Sequence, residues 1–363
     1  MNPKVKSDLE FFPFDGEFVH VYDPVASRHF KMGPQEVSWL RLLDGSRSLD
    51  DLRPSIPQEH FDDFFRHLER LGLLEGGAAT RRRRDPLKIK FRLLRPNAWL
   101  DGIMSTAVLY RQLLTIFFLP LLAINGLLLA LQWQQLQKAF MGLHFGFVTV
   151  VTYLLCLILI GFVHEFSHAM VAKSRGANVP AIGMMLFYLQ PAFYADISGI
   201  ALLRNRAHRI EALLAGVQSN NVLSAVFFVG FFLANGTAAA PYMAFAVAIN
   251  AFLTVYNLVP FVELDGYYIL LELLGEPQFG VNAKRVMREK AYRKPEYVLY
   301  FALSQIFALA IVFGAVLALR GFALQFTKAP AVDYATIAAM VIAYLILALR
   351  TARTVPAPLA SAA

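Results

Sequence analysis

The long apolar segments are the feature that most limits what this chain can fold into. A membrane-spanning helix needs about 20 consecutive, mostly apolar residues. Six segments reach or approach that length: roughly 109–131, 146–172, 210–233, 238–260, 296–319 and 333–349, the last being the shortest. Because backbone polar groups in lipid must be satisfied within their own segment, each is expected to be a helix. The sequence therefore predicts a mainly α-helical membrane bundle with about six spans.

The composition separates a soluble part from a membrane part. The chain is 57% hydrophobic and 17% charged, whereas soluble domains are about half apolar and about a quarter charged. Charged residues are frequent in the first 107 residues and scarce in the apolar segments. We expect a soluble domain over 1–80, a basic linker with an interfacial helix over 81–107, a membrane domain over 108–350 and a cytosolic tail over 351–363.

Basic residues predict the orientation. The link between the second and third predicted spans, and the link between the fourth and fifth, are much richer in Lys and Arg than the other links. Since basic loops stay in the cytosol, the N-terminal domain and the C-terminus are expected on the cytosolic side. The protein as a whole is expected in the inner membrane of a bacterium. The N-terminus lacks the apolar core of a cleavable signal peptide. The net charge of +8 fits this topology, and without a basic and aromatic binding motif we expect no nucleic-acid partner.

The predicted soluble domain has a recognisable element order. Strands are expected at 17–22 and 28–32, followed by helices that start at Pro34, after Ser48 and near Pro57. This order resembles a winged helix, and the Asp44-Gly45 turn with the Leu-rich end of the third helix resembles the PqqD-like peptide-recognition domain. That resemblance implies binding of a leader peptide, whereas a generic winged-helix cap is the alternative.

The end of the second predicted span carries the motif His164-Glu165-x-x-His168. A spacing of four places both imidazoles on one helix face, where they can share a tetrahedral metal ion such as zinc. Glu165 would lie close enough to take a proton from a metal-bound water. The alternative is a polar cluster in the bundle interior without a metal. The single cysteine, Cys156, allows neither an intramolecular disulfide nor a Cys-based zinc site.

A catalytic zinc site needs a third protein ligand, which the first motif does not supply. Acidic candidates near span ends are Asp196, Glu263 and Asp265. The residues alone do not decide which of these three carboxylates is the third ligand.

The segment from Asn257 to Gly266 reads N-x-x-P-x-x-x-L-D-G. Together with H-E-x-x-H it resembles the site-2 protease family of intramembrane zinc metalloproteases. The resemblance implies that His164, His168 and Asp265 hold one zinc ion, that Glu165 is the general base and that Asn257 lies beside the site. Glu263 is then expected to face solvent or an ion-pair partner.

Two further residues are candidates for contacting substrate. Ala215–Asn220 resembles another segment of the family, although Val217 stands where the family usually has proline, so Asn220 is a candidate only. Asp196 could hydrogen-bond near the site or cap a turn. These features, with the PqqD-like front end, resemble the peptide zinc metalloprotease subgroup.

Residues 178–200 are apolar but interrupted by proline and glycine. We interpret them as a re-entrant β-hairpin whose edge strand could hold a substrate extended, with an interfacial loop as the alternative.

The functional expectation is a zinc metalloendopeptidase that matures a ribosomally synthesised peptide precursor. Regulated intramembrane proteolysis of a membrane-tethered regulator is one alternative. A non-catalytic export, immunity or scaffold protein is another.

Overall fold

The structure is a computed structural model that describes residues 2–14, 18–23, 28–75, 88–144, 146–187, 190–276, 278–287, 289–324, 327 and 331–354. The chain divides into two compact units, one up to Asn250 and one from Ala251. The predicted arginine linker at 81–84 and most of the predicted tail lie outside the described residues.

The first unit begins with a small α+β module. Its elements are β1 (Glu10–Phe14), β2 (Phe18–Asp23), β3 (Arg28–Met32), α1 (Pro34–Arg41), α2 (Leu49–Leu52) and α3 (Gln58–Leu71). The strands form an antiparallel sheet in the order β1-β2-β3. The two expected strands and three expected helices lie where the sequence indicated, and β1 is an additional strand. Assignment as a winged helix stays a prediction.

Apolar side chains at helical spacing explain how this module packs. Phe61, Phe64 and Leu68 form the buried stripe of α3 and join a core that includes Val21 of β2 and Leu40 of α1. Helix α3 ends at Gly72, whose φ of 67° is a left-handed conformation that favours glycine. Helix α2 begins with a capping box between Ser48 and Asp51.

The rest of the first unit is mainly helical. It contains β4 (Lys88–Leu94), α4 (Asn97–Gly102), α5 (Met104–Met141), α6 (Phe147–Ser174), β5 (Ile182–Phe187), β6 (Gln190–Ala195), α7 (Arg206–Leu233) and most of α8 (Ala240–Leu258). Helix α7 packs against α5 and α6 and is the most buried of the long helices, whereas α5 leaves most of its apolar side chains exposed. Helix α4 lies within the predicted interfacial helix.

The second unit continues from α8 into α9 (Asp265–Leu274), α10 (Phe279–Arg285), α11 (Pro295–Ala323) and α12 (Ala331–Thr354). Among the described residues, five helices are long and apolar enough to cross a membrane: α5, α6, α7, α8 and α11. The apolar part of α12, Val332–Ile346, is shorter than the other five. A sixth span therefore stays a prediction.

A second antiparallel sheet has the strand order β4-β5-β6. Strands β5 and β6 are the expected hairpin, while β4 was not expected. A Cβ on Gly183 would lie 2.1 Å from the carbonyl oxygen of Phe91, so β4 can approach β5 this closely only beside a glycine. Entry of the hairpin into the membrane stays a prediction.

Candidate metal centre

The two histidines of the first motif lie on adjacent turns of α6 and face each other. Both are buried, with relative exposures of 6% for His164 and 2% for His168. Their Nε2 atoms are 3.1 Å apart. The two rings lie on one helix face, as their spacing predicted, and each directs its Nε2 atom toward the other.

A backbone carbonyl fixes the tautomer of His168. Its Nδ1 lies 2.7 Å from the carbonyl oxygen of Ala212 on α7. Because a carbonyl only accepts hydrogen bonds, Nδ1 carries the hydrogen, and the neutral ring keeps the lone pair of Nε2 for a ligand. Two imidazole nitrogens bound to one tetrahedral zinc lie roughly 3.3 Å apart. The observed 3.1 Å therefore suits a shared metal ion.

Gly216 closes the space beside the two rings. A Cβ at this position would lie 2.5 Å from the Nε2 atoms of both histidines. Any other residue would occupy the point that both nitrogens face. Sequence reasoning concentrated on Asn220 in this segment and missed Gly216, although a glycine within an apolar span was the available signal.

A carboxylate completes the group of potential ligands. Among the described residues, His164, His168 and Asp265 are a possible group of ligands for a metal ion. Asp265 is the first residue of α9 and is half-buried. Two imidazoles, one carboxylate and an open position form a usual donor set for catalytic zinc, so these residues fit that ion.

The turn before α9 explains why a glycine follows Asp265. A Cβ on Gly266 would lie 2.1 Å from the carbonyl oxygen of Leu258, at the end of α8. The chain can therefore close this turn tightly only with glycine. Glu263 in the same turn is exposed, and its carboxylate lies 3.9 Å from Nζ of Lys284, as expected for a residue that faces solvent.

The hairpin contacts the glutamate between the histidines. The backbone N–H of Ala195, the last residue of β6, donates to Oε2 of Glu165 over 2.7 Å. Phe193 of the same strand packs edge-to-face on Phe162 of α6. The carboxylate of Glu165 is thereby held by the strand, a contact that the sequence did not reveal.

Asp196 takes part in a turn and in a longer-range contact. Its carboxylate accepts hydrogen bonds from the backbone and the hydroxyl of Ser198, as in the expected turn cap. It also accepts from the hydroxyl of Tyr22, with a donor–acceptor distance of 2.7 Å. Nothing in the sequence indicated this contact between β2 and the segment after β6.

Asn220 is fully buried in α7, one turn after Gly216. Within the described part of the chain, both atoms of its side-chain amide lack a hydrogen-bond partner. Its backbone carbonyl accepts from the side chain of Asn250 on α8 over 2.9 Å. The buried amide keeps Asn220 a candidate for contacting a bound peptide or water. Asn257 lies in the last turn of α8 and is half-buried.

An ion cluster lies next to the carbonyl that binds His168. Glu211 accepts from Arg111 of α5 over 3.0 Å and from Arg175, directly after α6, over 2.5 Å. All three side chains are largely shielded, with exposures of 15–23%. Glu211 precedes Ala212, so this cluster ties the carbonyl-bearing turn of α7 to both neighbouring helices.

In its described residues, the protein is mostly helical, with five candidate membrane spans and a possible His-His-Asp group for a metal ion in which both histidines are buried. Comparison with known proteins finds one relative, "Putative peptide zinc metalloprotease protein YydH" of Bacillus subtilis (strain 168). It is 29% identical over 173 residues, which cover 45% of this chain and 65% of the relative, slightly less than two thirds. No protein-family description and no solved structure matches the chain.

Proposed function

We propose that this protein is a zinc-dependent endopeptidase of the membrane. The observation that carries the proposal is the pair of buried imidazoles whose Nε2 atoms lie 3.1 Å apart, with a glutamate on the intervening turn. The name of the Bacillus subtilis relative, a peptide zinc metalloprotease, supports the same chemistry.

In this proposal, His164, His168 and Asp265 hold one zinc ion. When bound there, zinc lowers the pKa of a coordinated water and polarises the scissile carbonyl. Glu165 accepts the proton of the attacking water and passes it to the leaving amine. The Ala195 N–H, 2.7 Å from Oε2 of Glu165, keeps that carboxylate in one orientation. Asn257 is assigned to orient the substrate near the site.

We further infer an intramembrane protease of the site-2 type. The support is the H-E-x-x-H motif on α6 and the L-D-G motif at the start of α9, both on or next to helices that could cross a membrane. Peptide hydrolysis needs an extended substrate, because a helix engages its own carbonyls. Strand β6 is the last strand in the order β4-β5-β6, so an extended peptide could pair along it, and the buried amide of Asn220 offers a further polar contact.

The proposed substrate is a ribosomally synthesised precursor peptide, captured by the N-terminal module through its leader. Fusion of a small α+β module to the membrane domain supports this assignment. Tethering a substrate raises its effective concentration at the site, often to the millimolar range. In the proposed topology, the N-terminal module and the C-terminus both face the cytosol of a bacterium.

The decisive experiment measures metal content and cleavage with the full chain in detergent or nanodiscs. We expect one zinc per chain and cleavage of a precursor peptide encoded near its gene. Glu165→Gln should keep the zinc and lose at least about 100-fold in kcat, because the proton acceptor is gone. His164→Ala should lose both zinc and activity.

His144→Ala is the matched control. His144 is exposed and lies between α5 and α6, so its replacement should change neither zinc content nor cleavage. Full activity of Glu165→Gln would contradict the assignment of Glu165 as the proton acceptor. Absence of cleavage by the zinc-loaded wild-type protein would contradict the peptidase assignment and favour a non-catalytic role. Cleavage of a membrane-tethered regulator, with precursor peptides left intact, would instead favour regulated intramembrane proteolysis.

A further inference from the structure

A hydrogen bond joins the N-terminal module to the segment that follows β6. Tyr22 of β2 is 1% exposed, and its hydroxyl donates to Oδ2 of Asp196 over 2.7 Å. A buried tyrosine needs a partner for its hydroxyl, since an unsatisfied group would lose its hydration without compensation. A nearby ion pair, Arg92 to Glu10 at 4.0 Å, also joins β4 to β1.

Asp196 is in turn fixed against the hairpin. Its backbone N–H donates to the carbonyl of Ala181 over 2.8 Å, and its carboxylate also engages Ser198. The preceding residue, Ala195, is the one whose N–H donates to Glu165. Two consecutive residues therefore connect a hydroxyl of the N-terminal module to the carboxylate on α6.

We propose that Tyr22 is a positioning residue of the peptidase site. It holds Asp196, and through it the end of β6 that orients Glu165. The inference rests on the proposed function. In this inference, the N-terminal module helps to orient the Glu165 carboxylate, in addition to capturing the peptide. Small displacements of a catalytic group are costly, since a shift of about 1 Å can lower the rate by about 100-fold.

The kinetic test uses Tyr22→Phe in the full chain, which keeps the buried ring and removes only the hydroxyl. With a precursor peptide as substrate, we expect kcat to fall about tenfold. KM should stay within about twofold and zinc content should be unchanged, because only orientation is lost. Asp196→Ala should reduce kcat at least as much. The double variant should be no worse than Asp196→Ala alone, because both changes remove one connection.

Ser48→Ala is the matched control. It removes the side-chain cap of α2 and so weakens the same module without touching Tyr22 or Asp196. It should leave kcat at the wild-type value. An equal loss of kcat in Ser48→Ala and Tyr22→Phe would overturn the proposal, because general destabilisation of the module would then explain both.

Amide hydrogen exchange tests the contact without relying on catalysis. Tyr22→Phe should speed exchange across residues 194–198 and leave α6 unchanged. Unchanged exchange would overturn the proposal, as would faster exchange with wild-type kcat and KM. If wild-type protein loaded with zinc cleaves nothing, the proposed function fails. The exchange result still decides separately whether Tyr22 fixes this segment.

Discussion

At Gly216, the backbone of α7 passes so close to the two imidazoles that a methyl group would fall between them and any shared ligand. The nearest atoms to a Cβ there are Cε1 of His164, at 2.4 Å, and the two Nε2 atoms, at 2.5 Å. These atoms cannot easily move away, because each is part of a buried imidazole ring. The ring of His168 is also held by the Ala212 carbonyl. This single position therefore controls access to the donor nitrogens.

Gly216→Ala should strongly weaken metal binding while leaving the helix intact. We expect zinc affinity to fall at least about 100-fold, or about 2.7 kcal/mol, because the methyl group occupies the space that both nitrogens face. Metal analysis after dialysis, followed by zinc titration, measures the change. Gly126→Ala in α5 is the control, since a Cβ there meets nothing within 4 Å. Wild-type zinc affinity in Gly216→Ala would contradict the site geometry.

At the scale of elements, α7 owes its position to polar contacts at several depths. Near its start, Glu211 binds Arg111 and Arg175. Farther along, the side chain of Asn125 on α5 donates to the backbone carbonyl of Asn221 over 2.7 Å. The hydrogen bond from Asn125 joins neutral groups on neighbouring helices. Such bonds help to set the register of α7 without the large desolvation cost of a buried charge. The register in turn brings the Ala212 carbonyl to His168.

Glu211→Ala should loosen that register. Removing one partner leaves two guanidinium groups without their carboxylate, and we expect a loss of roughly 2–4 kcal/mol in stability. Zinc affinity should fall about tenfold, because the carbonyl that orients His168 is no longer held. Thermal unfolding in one detergent and zinc titration measure both effects.

Glu263→Ala supplies the comparison for this prediction. Glu263 also has a basic partner, Lys284, but both side chains are at least half exposed and 3.9 Å apart. Exposed ion pairs contribute about 0–1 kcal/mol, so its stability should hardly change. Equal losses in the two variants would show that the Glu211 cluster does not fix α7.

At the scale of the whole molecule, the basic links predict which parts of the chain face the cytosol. Lys138, near the end of α5, and Lys284, in α10, fall on opposite sides of the membrane in the proposed topology. Both residues are exposed. The native Cys156 is buried in α6 with 7% exposure, so background labelling of a thiol should be low.

Lys138→Cys should react with a membrane-impermeant maleimide in intact cells, because the predicted position of residue 138 is outside the cytosol. Lys284→Cys should react only after the membrane is permeabilised. Wild-type protein, with Cys156 alone, gives the background. Labelling of Lys284→Cys in intact cells, with protection of Lys138→Cys, would reverse the proposed orientation.

Much of the local structure could be predicted from the sequence. The apolar segments gave the five long helices, and apolar spacing gave α3, because burial of one helix face imposes its own period on the sequence. Strand β4 was missed although Lys88 to Leu94 alternates charged and apolar residues. Strand β1 lacked such a signal, since Pro13 interrupts it.

What the sequence determined by itself is the local chemistry: which segments are helical, and that two imidazoles stand at a spacing suited to a shared metal ion. Helix periodicity is a property of consecutive residues, so these features need no knowledge of distant contacts. The tertiary structure alone decided that Gly216 abuts the histidines, that Ala212 orients His168, and that Ala195 binds Glu165. It also decided that Tyr22 reaches Asp196, 174 residues farther along the chain. Such contacts depend on how helices and strands pack, and a backbone carbonyl or amide carries no mark of its partner in the sequence.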